Sequence, residues 1–192
     1  MPTQKPCLII ITGLSGTGKT TLGKRLAQEL RLPFIYKDGI KELLFDDLGW
    51  HDRAWSRKLG QATYSILYHV IEAQLTGGCS LIVESNFSPK FSTPDFLSLQ
   101  QCSDFDPFQI LCFTMPGDLL LQRCKNRVTS GQRHPGHVEH LCYEELAPSL
   151  LKGREDPLPI GGPVLEVDTT DFSAIDYKKI VGAVSEFIAD RR

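Results

Sequence analysis

Several things are missing from this sequence, and each absence narrows what the chain can be. No apolar run approaches membrane-spanning length. The first one, Cys7–Ile11, is too short for a signal-peptide core, so a cytoplasmic protein is expected. No broad excess of positive charge exists: 21 Lys and Arg stand against 23 Asp and Glu, a formal net charge of −2. That excludes a wide basic field for nucleic acid, though a local basic patch remains compatible. The six cysteines form no C-x-x-C pair, and they read as reduced, mostly buried thiols. There is no internal repeat, no low-complexity stretch and no guanine-reading N-K-x-D. What is present is ordinary globular composition, 41% hydrophobic over 192 residues, enough for one domain with a real core.

Short continuous apolar runs alternate with helical patterns. Cys7–Thr12, Phe34–Tyr36, Ser80–Glu84, Phe108–Thr114 and Val164–Asp168 read as strands. Continuous rather than alternating runs point to burial on both faces, as in a parallel sheet. Between them, Leu22, Leu26 and Leu30 repeat at helical spacing, as do Leu59, Ala62, Ile66, Val70 and Ala73 within Trp55–Leu75, with Gly77 as C-cap. A helix is expected over Ile40–Leu48, another opening at Thr93-Pro94 with Thr93 as N-cap, another from about Gly117 to Val128. A last helix carries Ile180, Val181, Val184, Phe187 and Ile188 on one face. This alternation predicts an α/β fold with a mostly parallel sheet.

The stretch GLSGTGKTT, Gly13–Thr21, matches G-x-x-x-x-G-K-[ST]. It follows a buried-looking strand and precedes an amphipathic helix, the context that a phosphate-binding loop requires. Gly13, Gly16 and Gly18 let the backbone curl so that the N–H groups of Ser15 to Thr21, Thr17 among them, point at phosphate oxygens. The helix beginning near Gly18 adds its positive end. Lys19 is placed to bridge β- and γ-phosphates, and the Thr20 hydroxyl to ligate Mg²⁺. ATP and Mg²⁺ are therefore the expected cofactors.

Three further features bear on what accepts the phosphate. Asp38 follows the second strand, at the carboxyl edge where open α/β sheets collect ligands. A carboxylate there can take the proton of an attacking hydroxyl, and the same position also suits a helix N-cap. Glu84 closes the third strand in the Walker B position, where it would hold Mg²⁺ directly or, as a glutamate, through water or face the substrate, with a carboxylate merely solvated at a strand end as the alternative. Asn86 shares its loop. Arg123 and Arg127 stand four apart, on one face of a helix, and Arg133 lies in a Gly- and Pro-containing loop suited to a lid. Guanidinium groups suit the charge of a transferring phosphoryl group, although a basic helix end also complements the helix dipole. His134, His137 and His140 have no partner at a standard zinc spacing and read as lid residues touching phosphate or substrate. Trp50, Trp55, Tyr64 and Tyr68 are candidates for an acceptor pocket, the two tyrosines reading first as helix packing.

In order, GLSGTGKTT, KDGIKELLFDDLG, VESNF, RCKNR, RHPGH and VDTTDF resemble the small P-loop kinases of the AAA-type predicted kinase group. That group is related to polynucleotide 5′-kinases, chloramphenicol phosphotransferase and zeta toxins. The likeness spans nearly the whole chain. It implies a single P-loop kinase domain over 1–192, a three-layer P-loop NTPase fold with a five-stranded parallel sheet of nucleoside-monophosphate-kinase type, and a small lid at about 128–140. It implies that Asp38 matches the general base, that Arg123 and Arg127 match lid arginines, and that the loop at Asp168 and Thr169 lies near the nucleotide base. Polynucleotide kinases usually carry aspartate where Glu84 stands, and the chain has no room for the helical subdomain of hexameric AAA motors. The expected activity is phosphorylation of a hydroxyl group on a small molecule. A polynucleotide 5′-hydroxyl kinase and a slowly hydrolysing nucleotide-binding module are the alternatives.

Overall fold

The computed structural model describes residues 5–191. In chain order the elements are β1 (Cys7–Gly13), α1 (Lys19–Leu30), β2 (Phe34–Tyr36), α2 (Lys37–Leu48), α3 (Arg53–Thr76), β3 (Leu81–Glu84), α4 (Pro89–Cys102), β4 (Asp106–Phe113), α5 (Asp118–Thr129), α6 (Tyr143–Leu150), β5 (Val164–Asp168) and α7 (Tyr177–Ala189). All strand pairs are parallel, in a five-stranded sheet of order β2-β3-β1-β4-β5.

The alternation hidden inside the apolar run of β1 sets the layers. Cys7, Ile9 and Ile11 join Leu22 and Leu26 of α1 and Ile180, Val184 and Phe187 of α7 in one core cluster. Leu8 and Ile10 join Leu67, Ile71 and Leu75 of α3 and Phe96 and Leu99 of α4 in another. Both faces of the central strand are therefore buried, as a doubly covered parallel sheet demands. Each fully buried Leu or Ile contributes roughly 1.5–3 kcal/mol. A third cluster, Leu14, Leu120, Cys124 and Leu150, seats α5 and α6 beside the glycine loop.

The edge strands depart from the sequence reading. β2 is only half-buried and most of β5 is exposed, Glu166 pairing there with Arg154. Helix α4 opens at Pro89 after Ser88, not at Thr93, so Pro94 lies inside it. Pro89 already offers the preferred first-turn position. The Thr93 hydroxyl, expected as a cap, is instead buried without a partner. Helix α6 had no clear signal, its periodicity being short and interrupted by Pro148. Four cysteines are buried and two, Cys79 and Cys102, are exposed; all six are free.

The strand order explains where a ligand can sit. The chain leaves β1 toward β2 and β3 on one side, then crosses to β4 and β5 on the other. That makes the carboxyl end of β1 the switch point, where helices diverge and leave a crevice. The glycine loop leaves the sheet at that end, and Ile11 of β1 pairs beside Glu84 of β3.

Candidate functional site

One cavity of about 590 Å³ opens at this switch point, lined by the glycine loop, α2, α3, the loop after β3, α5 and Phe172. The loop's shape requires its glycines. Gly13 has φ 139°, and a Cβ there would lie 2.1 Å from the Cys112 carbonyl oxygen of β4. Gly18, at φ 78°, leads directly into Lys19, the first residue of α1. Thr17 Oγ1 donates to the Leu14 carbonyl at 2.9 Å and closes the turn. Lys19 is 5% exposed and donates from Nζ to the same carbonyl at 2.9 Å. Burial pushes its ammonium below the usual range, with Glu84 opposing.

Thr20 Oγ1 donates to Glu84 Oε2 at 2.7 Å, joining the two predicted metal-facing residues. Burial raises the Glu84 carboxyl, and Lys19 and Thr20 oppose that rise. Hydroxyl and carboxylate are hard oxygen donors of the kind Mg²⁺ takes, with phosphate and water completing its shell. The residues thus fit the ion as a nucleotide-bound species. Among the described residues no group of three or more His, Cys, Asp or Glu forms a self-sufficient metal site.

Asp38 sits in the first turn of α2, whose N-cap is Tyr36, so it is free of the capping role. Its Oδ2 accepts from Arg133 Nη1 at 2.7 Å, and its Oδ1 accepts from Lys37 Nζ at 3.1 Å. The side chain is 32% exposed, facing the cavity. Enclosure pushes the carboxyl up, but Arg133, Lys37 and His137 outweigh it and hold it well below the usual carboxylate range. Asp38 is therefore ionised at any ordinary pH.

The three arginines separate. Arg123 donates to the carbonyls of Gly16, Thr169 and Thr170 at 3.3, 3.0 and 2.8 Å and to Thr114 Oγ1 at 3.2 Å. Its guanidinium also lies 4.0 Å from the centre of the Phe172 ring. Arg123 thus ties the glycine loop to the segment after β5. Arg127 lines the cavity and is more loosely held: its Nη2 lies 3.5 Å from both Cys124 Sγ and Glu139 Oε1, and its Nε is buried without a partner. Arg133 does not line the cavity; it is spent on Asp38 and Glu139, at 2.7 and 3.0 Å.

Other expectations are corrected. None of the three histidines lines the cavity. His134 and His137 bind Asp46 and Glu42 of α2, and His140 is exposed. Trp50 and Trp55 stay outside too, Trp55 Nε1 donating to Gly49. Tyr68 packs against Phe87 and Phe96, but Tyr64 lines the cavity and shares a 2.8 Å hydrogen bond with Ser85. Asn86 is on the wall. Sequence reasoning missed Phe172, 45% exposed beside Gly18, and Lys37, whose place next to Asp38 was a usable signal.

The family model described as AAA domain matches residues 8–141. The chain belongs to the AAA domain family. As a member it has a small, kinase-like P-loop fold. It is 45% identical to a presumed kinase from Chloroflexus aurantiacus j-10-fl, over 95% of this chain and 98% of that one, with a TM-score of 0.90. A gluconokinase from Sinorhizobium meliloti 1021 shares the fold at 19% identity, covering 97% and 94% of the two chains, with a TM-score of 0.52. A sugar kinase from Janibacter sp. HTCC2649 does so at 16% identity, over 97% and 95%, with a TM-score of 0.52. No curated protein matches the sequence. This AAA-domain chain contains no helix long and apolar enough to cross a membrane among its described residues.

Proposed function

We propose that this protein is an ATP-dependent kinase that transfers the γ-phosphoryl group to a hydroxyl of a small molecule. The observation that carries the proposal is Asp38: an ionised carboxylate held by two cations in the wall of the cavity that the phosphate loop also lines. A nucleotide-binding module with no acceptor has no use for such a group. The 45% identity to the Chloroflexus protein, itself described as a presumed kinase, supports the same reading.

Each residue then has a task. The loop backbone and Lys19 hold the phosphates, and the positive end of α1 adds to them. Thr20 and Glu84 are the residues that would hold Mg²⁺, which when bound neutralises charge on the β- and γ-oxygens. Lys37 and Arg133 each occupy one side of the Asp38 carboxylate, whose oxygens retain lone pairs for an acceptor hydroxyl. Asp38 orients that hydroxyl and takes its proton as the bond to phosphorus forms. Arg127, whose side chain lines the cavity, answers the charge of the transferring group. Arg123 and Phe172 frame the nucleotide end. Tyr64, Ser85 and Asn86 give the acceptor side a hydroxyl- and amide-bearing wall suited to a small polar compound. The lid segment limits water, which competes with the acceptor.

The test is ADP release from Mg-ATP across a panel of small hydroxyl compounds and a 5′-hydroxyl oligonucleotide. Stimulation by one small-compound class is expected. Stimulation by the oligonucleotide alone would transfer the assignment to a polynucleotide 5′-kinase, and slow hydrolysis with no acceptor dependence would leave a binding module.

A further inference from the structure

The phosphotransfer reading, on which this inference rests, leaves one buried carboxylate without a task. Glu139 is 5% exposed, and a carboxylate so deep is rare unless it is paired. It begins the second of two short helical turns, Pro135–His137 and Glu139–Leu141. Val138 between them has φ 45°. A β-branched residue adopts that left-handed conformation only where its surroundings impose it. His137 and Glu139, on either side of it, are both buried.

Glu139 Oε2 accepts from Arg133 Nε at 3.0 Å, and Oε1 lies 3.5 Å from Arg127 Nη2. Arg133 Nη1 continues to Asp38 Oδ2 at 2.7 Å. An unbroken ionic chain, Asp38–Arg133–Glu139–Arg127, results. Its two end members line the cavity, and its two middle members stand behind the wall. We propose that Glu139 is a positioning residue, which aims Arg127 at the γ-phosphate and, through Arg133, fixes the carboxylate of Asp38. Two guanidinium groups need two anionic oxygens. Glutamine would offer one neutral oxygen and an amide whose hydrogens oppose the second arginine.

A purely structural role for Glu139 is separable, because the loop has other anchors. His137 and His134 bind Glu42 and Asp46 of α2 at 3.0 and 3.1 Å, and Gly136 lies so close to Phe45 that a Cβ would meet its ring at 2.5 Å. Removing the Glu139 charge leaves those contacts in place.

The experiment compares calorimetric titrations of the wild type, Glu139→Gln and Glu139→Asp with MgADP and with Mg-AMP-PNP, alongside melting curves. The wild type should bind AMP-PNP more tightly than ADP. Glu139→Gln should shrink that ratio by about tenfold, the scale of one charge-assisted hydrogen bond, with ADP affinity kept within about twofold. Glu139→Asp, which keeps the charge on a shorter stem, should recover part of the ratio. An unchanged ratio in folded Glu139→Gln overturns the proposal, and so does an aspartate variant no better than the glutamine one. Should Glu139→Gln fail to fold, Glu139→Asp decides alone: a reduced ratio with ADP binding intact supports positioning, and an unchanged ratio refutes it. A wild type that binds neither nucleotide overturns the phosphotransfer reading itself.

Discussion

Around the glycine loop the cavity wall is largely backbone: positive-φ glycines, a helix start and one buried lysine pointed at a carbonyl. Across from it the wall is side chains, an aspartate braced by a lysine and an arginine, with a glutamate behind them. The first half is held by close approach of backbone to backbone, as at Gly13 against Cys112, and by the fully buried strands beside it. The second depends on charges brought together from α2, α5 and the segment between α5 and α6, more than 90 residues apart in sequence for Arg133 and Asp38. A phosphate chain is the same in every nucleotide and suits a fixed cradle. An acceptor varies from one enzyme to another, and a side-chain wall can change without disturbing the fold.

The largest break in this comparison should come from the backbone half. Gly13→Ala places a Cβ against the Cys112 carbonyl and forces alanine to φ 139°. The loss should be about 3 kcal/mol or more, from backbone strain and clash together. Denaturant unfolding measures it, and a stability equal to wild type would refute the packing account. On the side-chain half, Arg127→Ala should keep the fold and slow turnover on the order of 10²–10³-fold, the scale of a lost transition-state donor. Turnover within twofold of wild type would show that Arg127 does not meet the transferring group.

The smallest effect concerns Lys41 of α2. It is 5% exposed, with Ser56 Oγ at 2.9 Å. Burial, aided by Lys37, lowers its pKa from 10.5 to about 7. Between those values the unfolded chain binds the extra proton and the folded one does not, so this group makes stability rise with pH across that window. Lys41→Met should therefore flatten the melting temperature between pH 7 and pH 10. An unchanged slope would show that Lys41 is charged in the folded protein.

The same contrast governs how much could be read in the sequence. The phosphate loop, the five strands and the place of Asp38 were legible because each rests on local chemistry: glycine spacing, unbroken apolar runs, a carboxylate just past a strand. The edge strands were read as more buried than they are, since an apolar run does not reveal whether a neighbour covers it. Thr93-Pro94 carried a good start signal that the earlier Pro89 pre-empted. The histidines of RHPGH looked chemical in sequence, yet they fasten their own loop to Glu42 and Asp46, a match visible only once α2 lies beside that loop. Glu139 carried no local signal, and Phe172 was visible only as the end of the VDTTDF stretch. Their places come from the packing of segments remote in sequence, and Arg133 turned out to serve Asp38 rather than the cavity.

The most direct measurement takes the acceptor found in the ADP-release panel and compares the wild type with Asp38→Asn, following turnover and Mg-ATP affinity in the same preparations. The account predicts that turnover falls on the order of 10²–10⁴-fold, the usual contribution of a positioned general base. Mg-ATP affinity should stay within about threefold, because the phosphate cradle is built elsewhere. Equal losses in both, or turnover that survives the substitution, would contradict a cavity divided between a backbone nucleotide half and a side-chain acceptor half centred on Asp38.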